Sequence, residues 1–403
     1  MMVENCHDEY EITEHYRTVK RAIRKGNIAE PFLAGRYSFS PYMACSHGCV
    51  YCDGRAERYY VEGDFERDVV IRRNLPELLE GELPKLREVG FVTVGSGISD
   101  AYQPPEIREE LMRRCAEILA RHPFPVAVLT KSAMIRRDVD LWRLVNAKGG
   151  FNLYISLTFA DDRLRQIFEP RASSVSERVD ALRVFKEAGC RVGVMAMPLL
   201  PRISDTEENV RALFDMLLEV GVDFVMPAGL TLRPGRQKDF FLAVIAERFP
   251  DLLETYTALF ANEAASGSCV REYSVGSQKW LNELASDYGF PTVIPHSLFK
   301  GRLPLYDELF VLLCHMGELY SARGVAVGRL TRSRNRYRDW LLSRKRVFNR
   351  RRKITQEDLE EELLECLRSD RMAQLLGNAK LSAFMREAVE EGRTFDYIQM
   401  ALV

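Results

Sequence analysis

The chain contains 403 residues, of which 46% are hydrophobic and 29% are charged, and its formal net charge is −1. These values are typical of a soluble globular protein and exclude a uniformly basic, histone-like binder, while the length allows one large domain with an appendage or two ordinary domains. Because no apolar run approaches the roughly 18 residues of a membrane span, and the charged N-terminal segment lacks the apolar core of a signal peptide, we expect a cytoplasmic protein with no membrane partner.

Six β-rich runs alternate with helical patterns between residue 37 and residue 230 or so. The runs are RYSFSPYM, FVTVGS, VAVLT, LYISLT, RVGVMAM and DFVMPA. From the second run onward, successive runs begin roughly 30 residues apart, which is the length of a strand–helix unit. Six such units predict an α/β fold in which a parallel sheet closes partly into a (β/α)6 barrel, with the functional site at the carboxyl ends of the strands. An open doubly wound sheet is the alternative.

Two Ser–x–x–Glu pairs predict where helices begin. Ser174 and Glu177 precede one helical pattern, and Ser204 and Glu207 precede the next. Each pair has the spacing of a capping box, so we expect Ser174 and Ser204 to be N-cap residues.

After residue 235 or so the pattern becomes mostly helical. The segment LPLYDELFVLLCHMGELYSARG has an apolar stripe at helical period. A basic block follows from Arg329 to Lys353, with 12 Lys and Arg residues and one acid, Asp339, and then an acidic amphipathic segment from Thr355 to Cys366. The cations do not share one clean stripe, so we expect the charge to wrap around the helix. The chain divides into a predicted N-terminal segment 1–34, a barrel 35–235 and a helical C-terminal region 236–403.

The sequence CSHGCVYC follows the first predicted strand and brings together three cysteines, Cys45, Cys49 and Cys52. The other six cysteines are scattered singly, as inert or small core cysteines of a reducing compartment are. Three inert thiols at this spacing are one interpretation. A zinc site is a second, but it needs a fourth ligand, for which His47 is the candidate. A cubane iron–sulfur cluster is favoured, because three thiolates hold it and leave one iron open to a substrate or cofactor.

This spacing, with an aromatic residue before the last cysteine, resembles the cluster motif of the radical S-adenosylmethionine (radical SAM) superfamily. Five further segments resemble its spore photoproduct lyase-related branch, whose members are often labelled DNA repair photolyase-like: SDAYQPPE, LTKS, ISLTF, FEPRASSVSERVDAL and VGVMAMPLLPRISD. The resemblance covers roughly residues 35 to 230. It implies a [4Fe–4S] cluster whose open iron chelates S-adenosylmethionine (SAM), and an external electron donor such as flavodoxin or ferredoxin. One electron then cleaves SAM and yields a 5′-deoxyadenosyl radical.

The resemblance also assigns roles to residues of this chain. It implies three cluster ligands, which are Cys45, Cys49 and Cys52. It implies five SAM contacts: Tyr51 at the adenine, Ser99 and Asp100 at the methionine moiety, and Lys131 and Ser156 at the carboxylate and ribose. Without the resemblance, the Ser–Asp pair fits a turn and the lysine fits a solvated strand end.

Four further residues have less specific expectations. Glu169 and Arg171, in the segment FEPRA, are weak catalytic candidates that fit an ion pair, a substrate contact or a structural loop about equally. His296 and His315 belong to the helical C-terminal region, and we expect both to be structural.

Two residues depart from spore photoproduct lyase itself. Gly97 stands two residues before the Ser–Asp pair, where the lyase has its hydrogen-donating cysteine. Asp53 stands directly after the cluster motif, where the lyase has a tyrosine. The resemblance therefore indicates how a radical is made and leaves the hydrogen donor and the substrate open.

The sequence supports three hypotheses for function. The first is a lyase-like radical SAM enzyme acting on nucleic acid, with the basic block from Arg329 to Lys353 as the contact surface and Tyr337, Trp340 and Phe348 as stacking candidates. The second is a radical SAM enzyme that acts on a protein or small metabolite. The third is a metal-stapled nucleic-acid-binding protein without catalysis.

Overall fold

The computed structural model describes residues 11–59, 63–95, 98–351 and 353–403. The strands in these residues are short, which is usual for a sheet covered by helices. They are β1 (Thr13–Tyr16), β2 (Arg24–Lys25), β3 (Gly35–Phe39), β4 (Tyr42–Met43), β5 (Asp68–Ile71), β6 (Phe91–Val94), β7 (Val126–Thr130), β8 (Phe151–Ser156), β9 (Arg191–Leu199), β10 (Phe224–Gly229), β11 (Phe395–Asp396) and β12 (Ala401–Leu402).

Helices connect the central strands and then make up most of the C-terminal region. They are α1 (Leu75–Glu82), α2 (Glu106–Glu109), α3 (Leu111–Leu119), α4 (Val139–Lys148), α5 (Asp162–Phe168), α6 (Val175–Glu187), α7 (Glu207–Val220), α8 (Arg236–Arg248), α9 (Leu253–Leu259), α10 (Arg271–Asp287), α11 (His296–Phe299), α12 (Leu305–Ala322), α13 (Gly328–Arg350), α14 (Gln356–Arg368), α15 (Arg371–Leu376) and α16 (Ala379–Glu390). Short 3-10 helices add a turn at Asp53–Arg55, Glu57–Tyr59, Leu83–Lys85, Ala133–Asp138 and Pro250–Leu252.

The main sheet has seven strands in the order β10-β9-β8-β7-β6-β3-β2. Six of these strands are parallel, namely β10, β9, β8, β7, β6 and β3. Strand β2 pairs antiparallel with β3 at the edge. The spatial order of the parallel strands follows their order along the chain. In a doubly wound sheet the order of the strands would instead reverse at a point in the middle of the sheet. The prediction of a partial (β/α)6 barrel is therefore confirmed, and the first predicted run divides into β3 and β4, which pairs instead with β5.

The two faces of this sheet pack against different parts of the chain, because alternate residues of a strand point to opposite sides. On one side, residues such as Val92, Val128 and Leu153 pack against the connecting helices, with Trp142 and Phe185 among their neighbours. On the other side, a second core joins strand residues to the helical C-terminal region, and its strand residues include Phe91, Ala127, Tyr154, Met195 and Phe224. The C-terminal helices therefore fill one side of the sheet.

Helix α13 is fastened near the amino ends of the parallel strands. Arg87 Nη1 donates to the carbonyl oxygen of Phe348 at 3.0 Å, and Lys345 Nζ forms an ion pair with Glu88. Glu88 lies just before β6, and its carboxylate also binds Arg36 of β3 at 2.7 Å. Because the carboxyl ends of the strands lie at the far edge of the sheet, residues 345–348 of the basic block lie at the edge opposite the loops that follow the strands.

One of the two predicted helix starts is correct and the other is displaced. Ser174 forms a complete capping box with Glu177 at the start of α6. Helix α7 begins two residues later than expected, because the side chain of Thr206 caps it and accepts from the backbone of Asn209. The hydroxyl of Ser204 instead accepts from the backbone nitrogen of Leu200 at 2.8 Å and closes the loop after β9.

His296 and His315 are both buried, and both nitrogens of each ring have a polar partner. His296 Nε2 lies 3.0 Å from the carboxylate of Glu308, and its Nδ1 accepts from the backbone nitrogen of Phe395. His315 Nε2 donates to the carbonyl oxygen of Pro31 at 2.8 Å, which leaves its Nδ1 to accept from Tyr397. Burial lowers the pKa of His315 to about 4, so this ring is neutral at pH 7. Both rings therefore have the structural contacts that the sequence predicts.

Among the described residues, no helix combines the length and the apolar character that a membrane span requires.

Candidate active site

The three clustered cysteines lie on one loop at the carboxyl end of β3, directly after β4. Cys45 and Cys49 are buried and Cys52 is half-buried. Burial raises the pKa of all three thiols, to about 12 for Cys49, and nearby thiols or carboxylates add to this effect, whereas Lys131 opposes it at Cys49 and Cys52. The loop therefore brings three thiols together in a water-poor environment, at the edge of the sheet where the fold predicts the site.

Two arginines hold the backbone of this loop. Arg55 Nη2 donates to the carbonyl oxygen of Gly48 at 3.1 Å, and Arg171 Nε donates to the carbonyl oxygen of Ser46. Both guanidinium groups also bind one oxygen of Glu66, at 2.9 and 2.8 Å. Because the carboxylate is shared, it fixes the two arginines on either side of the loop. Arg171 is thus a loop-holding residue, which is one of the roles that the sequence leaves open for it.

The segment after β6 forms hydrogen bonds with the backbone of the same loop. The hydroxyl of Ser99 donates to the carbonyl oxygens of Tyr42 and Ala44, at 3.2 and 2.9 Å. Gln103 is fully buried, donates to the carbonyl oxygen of Ala44 and accepts from the backbone nitrogen of Ser46 at 2.9 Å. In the structure the Ser99 hydroxyl therefore binds backbone, and its predicted contact with SAM stays a prediction.

Asp100 connects the loops after β6 and β7. Its carboxylate accepts from the hydroxyl of Thr130 and from the backbone nitrogen of Lys131, both at 2.7 Å. The ring of His47 lies beside it, with Nδ1 3.6 Å from the second carboxylate oxygen. Burial lowers the pKa of His47 even though Asp100 opposes this effect. Asp100 therefore sets the position of Lys131 and of the cysteine loop.

A buried carboxylate, Glu169, lies at the centre of the site. Arg178 binds one of its oxygens, and the hydroxyl of Tyr51 donates to the other. Lys131 Nζ lies 4.0 Å from Glu169 and 5.7 Å from the centre of the Tyr51 ring. Burial raises the pKa of Glu169, but the charges of Arg178 and Lys131 outweigh this effect, and the pKa stays below its usual value. Glu169 is therefore ionised and orients both Tyr51 and Lys131.

The remaining predicted contact, Ser156, ends β8 beside this group. It is buried, and its carbonyl oxygen accepts from Arg178 Nη1 at 3.0 Å. The structure thus brings all the predicted site residues to one edge of the sheet, with Tyr51, Lys131 and Glu169 in direct contact.

Sequence reasoning missed four residues that organise the site: Arg55, Glu66, Gln103 and Arg178. A signal for Arg178 was available, because it lies in the quoted segment FEPRASSVSERVDAL, but at that position in α6 it resembles any surface arginine.

Asp53 has a structural explanation, whereas Gly97 lies outside the described residues. Arg233, just before α8, donates to the carboxylate of Asp53 at 2.6 Å through Nε, and Tyr59 donates to it as well. Gln237 then donates to the carbonyl oxygen of Tyr51 at 3.0 Å. The residue that replaces the expected tyrosine therefore ties the end of the cysteine loop to the region after the barrel.

The donor set fits a cubane better than a single zinc ion. In the described part of the chain, no three His, Cys, Asp or Glu side chains converge on a common point that could hold one ion. A tetrahedral zinc needs four ligands around one centre. In a cubane each thiolate binds a different iron, so three thiols on one loop fit it without meeting at a point. The ring of His47, the candidate fourth zinc ligand, lies beside Asp100.

Comparison with known proteins places this site within one family. Residues 39–216 match the family model of the radical SAM superfamily. An uncharacterized protein of Mycobacterium tuberculosis is 31% identical over 257 residues, which are 62% of this chain and 74% of that protein. An uncharacterized protein of Methanocaldococcus jannaschii is 28% identical over 173 residues, 43% of this chain and 63% of that protein. The match to the family model includes the cysteine loop and every predicted site residue.

Two solved structures are similar in fold. Spore photoproduct lyase complexed with dinucleoside spore photoproduct has 16% identity and a TM-score of 0.43, over 59% of this chain and 66% of that one. This chain thus spans just under two thirds of the lyase. SuiB from Streptococcus suis bound to S-adenosylmethionine has 13% identity and a TM-score of 0.40, over 62% of this chain and 46% of that one.

Proposed function

We propose that this chain, which belongs to the radical SAM superfamily, is an enzyme that cleaves SAM reductively to a 5′-deoxyadenosyl radical and directs the radical at a nucleic acid. The cofactors of the superfamily are a [4Fe–4S] cluster and SAM. When bound, the cluster supplies the electron that breaks the sulfonium bond. The residues proposed to hold it are Cys45, Cys49 and Cys52.

The observation that carries the proposal is the contact of Lys131, Tyr51 and Glu169 beside the cysteine loop. The side chain of Lys131 is 16% exposed and ends in an ammonium, which suits an anionic group such as the carboxylate of SAM. Glu169 is buried and stays ionised, so it holds the ammonium and the tyrosine hydroxyl in place. This arrangement orients a zwitterionic ligand next to the three thiols and keeps water from most of its surroundings.

The nucleic-acid part of the proposal is supported by the basic block. Several of its arginines are exposed on α13, where cations can contact phosphate groups. DNA repair and a lyase-type reaction belong to this same proposal, and they depend on the substrate.

A second candidate substrate is a basic protein segment or a cationic metabolite. A groove of about 760 Å3 lies between the loop after β9 and α10, at the same edge of the sheet as the cysteine loop. Its lining includes five carboxylates, two arginines and the rings of Tyr273 and Trp280. Arg211 in this lining already pairs with Glu207 at 2.8 Å. The excess of carboxylates disfavours phosphate there and favours a cation.

The radical function is tested by anaerobic reconstitution with iron and sulfide. We expect the visible absorption of a cubane cluster and, with dithionite and SAM, the release of 5′-deoxyadenosine. Cys49→Ala should abolish both signals. The matched control is Cys269→Ala, because Cys269 is half-buried and lies outside the cluster loop. Tightly bound zinc and no SAM cleavage in the unmodified protein contradict the proposal and support a metal-stapled binding protein.

The substrate class is tested in the same assay. Duplex DNA, RNA and a lysine-rich peptide are added separately, and the rate of deoxyadenosine formation is measured. Stimulation by nucleic acid supports the leading substrate class, and stimulation by the peptide alone supports the second.

A further inference from the structure

Helix α13 presents a row of arginines to solvent. The exposed positions Arg329, Arg332, Arg336, Asp339, Ser343, Arg346 and Arg350 follow one another at steps of three and four residues. This spacing keeps them on one face of a helix with 3.6 residues per turn. We call the five arginines of this face the arginine stripe. Arg338 is also exposed but lies off this face, so charge extends around the helix as the sequence predicts, and the stripe is the row that lies along one side.

The opposite face of α13 is packed into the core. Its buried residues are Ser333, Tyr337, Leu341, Lys345 and Phe348. The rings of Tyr337 and Phe348 are almost fully buried, and Trp340 stacks against Tyr337 with ring centres 5.7 Å apart. These three aromatic residues were stacking candidates in the sequence. Two of them are out of reach of a ligand, so contacts made by this helix come mainly from charge.

Most other cations of the basic block already have partners. Arg338 pairs with Asp339 at 3.1 Å, Arg344 with Glu362 at 2.8 Å, and Lys345 with the buried Glu88. The stripe differs in this respect. Among the residues that the structure describes, no carboxylate lies within 4.0 Å of the guanidinium groups of Arg329, Arg332, Arg346 and Arg350.

We propose that the arginine stripe binds the phosphate backbone of duplex nucleic acid without reading its sequence. From Arg329 to Arg350 the stripe extends about 32 Å at 1.5 Å per residue, a length comparable to about nine base pairs at 3.4 Å each. Guanidinium groups suit phosphate because they donate two parallel hydrogen bonds. Single strands are bound mainly by stacking on exposed aromatic rings, and two of the three rings considered on this helix are packed inside.

The position of the stripe gives it the role of an anchor. Helix α13 is fastened to Glu88 and Arg87 near the amino ends of the strands, whereas the cysteine loop follows the carboxyl end of β3. A duplex bound at the stripe is therefore held away from the reacting centre. This binding raises the local concentration of the polymer around the protein. An acidic electron donor is disfavoured at this surface, because it must approach the cluster at the opposite edge. The proposal rests on the proposed function for its nucleic-acid partner.

The test is the salt dependence of duplex binding by the reconstituted full chain. The probe is a fluorescein-labelled 24-base-pair duplex of arbitrary sequence, and anisotropy is measured between 50 and 200 mM KCl. Four phosphate contacts give a slope of log K against log salt of about −3.6, which is a loss of about 150-fold in affinity over this range. A variant with four stripe substitutions should lose most of this slope: Arg329→Gln, Arg332→Gln, Arg346→Gln and Arg350→Gln.

The matched control removes the same charge from exposed arginines elsewhere, with the substitutions Arg114→Gln, Arg121→Gln, Arg183→Gln and Arg248→Gln. Glutamine has nearly the helix propensity of arginine, so both variants should fold. Lysine at the four stripe positions should retain binding. Equal slopes for the stripe variant and the control overturn the proposal, as does tight binding of a single strand with no binding of the duplex.

Deoxyadenosine formation without nucleic acid is measured on the same preparations. If the stripe variant loses duplex affinity and still cleaves SAM, the anchor is supported. If the unmodified chain binds the duplex through the stripe but never forms deoxyadenosine, the anchor stands and the proposed function fails. If it cleaves SAM while the stripe substitutions leave binding unchanged, the proposed function stands and the anchor fails.

Discussion

A buried glutamate lies at each end of the parallel sheet, and each is bound by an arginine, a lysine and a tyrosine. At the carboxyl end, Glu169 contacts Arg178 and Tyr51, and Lys131 lies 4.0 Å away. The same four residue types meet again at the amino end. What distinguishes the two groups is which of their charges a ligand can reach.

At the amino end, Glu88 contacts Arg36, Lys345 and Tyr306. Lys345 is 1% exposed, and its Nζ lies 4.8 Å from the centre of the Tyr306 ring. Tyr306 belongs to α12 and Lys345 belongs to α13, and these two helices cover the carboxylate. This group is a fastening between the C-terminal region and the sheet.

Lys131 differs from Lys345 because it keeps part of its surface open. Its side chain is 16% exposed, and it stands beside the cysteine loop. A cation beside a buried anion is thus a ligand site at one end and a structural pair at the other. Residue types alone do not separate the two cases, whereas the exposure of the lysine does.

The largest expected effect comes from removing the charge of each glutamate in turn. Glu169→Gln leaves Arg178 as an uncompensated charge with 0% exposure, so we expect the free energy of unfolding to fall by about 3–5 kcal/mol. Glu88→Gln should cost less, about 1.5–3 kcal/mol, because Asp307 lies 3.4 Å from Arg36 and remains as its counter-ion, while burial lowers the pKa of Lys345 to about 6, so this amine can give up its proton once Glu88 is neutral. Urea unfolding followed by circular dichroism measures both losses.

The comparison of the two glutamates also depends on how each substitution changes the affinity for SAM. Glu169→Gln should also weaken SAM binding by about tenfold or more, since Lys131 and Tyr51 lose their common partner, and each 1.4 kcal/mol is a factor of ten. Glu88→Gln should leave the affinity for SAM unchanged when equilibrium dialysis is done on reconstituted protein. Equal losses of SAM affinity in the two variants break the distinction between a site and a fastening.

A second test concerns the backbone of the cysteine loop. Gly48 has φ +66°, and a Cβ built there lies 1.8 Å from Arg171 Nη2 and 2.4 Å from the carboxylate of Glu66. Gly189 has φ +77° with no atom within 4 Å of such a Cβ. Alanine at either position costs about 1–2 kcal/mol for the left-handed backbone. Only Gly48→Ala should also displace the arginine that holds the loop.

We therefore expect Gly48→Ala to lower the iron bound per chain after reconstitution and to destabilise the protein by more than Gly189→Ala does. The control should retain full iron content. If both variants load iron equally, Arg171 moves aside without cost, and its contacts with the loop do not position the thiols.

The carboxyl end was largely predictable from the sequence because its residues follow strands in chain order. Cys45, Asp100, Lys131 and Ser156 each stand at the end of a parallel strand or just after it, and the ends of parallel strands meet at one edge. A periodic pattern and the family resemblance therefore suffice to bring these residues together. The periodic pattern also predicts the strand boundaries to within a few residues.

The amino end was not predictable in this way. Glu88 lies in a connection before β6 and Lys345 lies in α13, 257 positions away in the chain. No period or motif relates them, and their contact depends on how the C-terminal helices pack. Lys345 therefore looked like one more cation of the basic block. The exposed arginines of the stripe could be separated from it only once the buried face of α13 was known.

The smallest expected effect concerns the residue after the cluster motif, which belongs to the carboxyl end by position but fastens the chain as the amino-end group does. Asp53 binds Arg233 at 2.6 Å, and the two side chains are 26% and 17% exposed. Partly exposed pairs of this kind contribute about 1 kcal/mol or less. We expect Asp53→Asn and Arg233→Gln to destabilise the protein by that amount each and to be non-additive when combined, because each removes the same ion pair.

Neither substitution should change the rate of deoxyadenosine formation per cluster, since the pair faces α8 and not Lys131. Urea unfolding of the two single variants and the double variant gives the coupling energy, and the deoxyadenosine assay is run on all three. A large loss of SAM cleavage in Asp53→Asn with unchanged stability assigns Asp53 to the chemistry. In that case the carboxyl end contains a second functional carboxylate besides Glu169, and the exposure of a neighbouring cation no longer suffices to tell a site from a fastening.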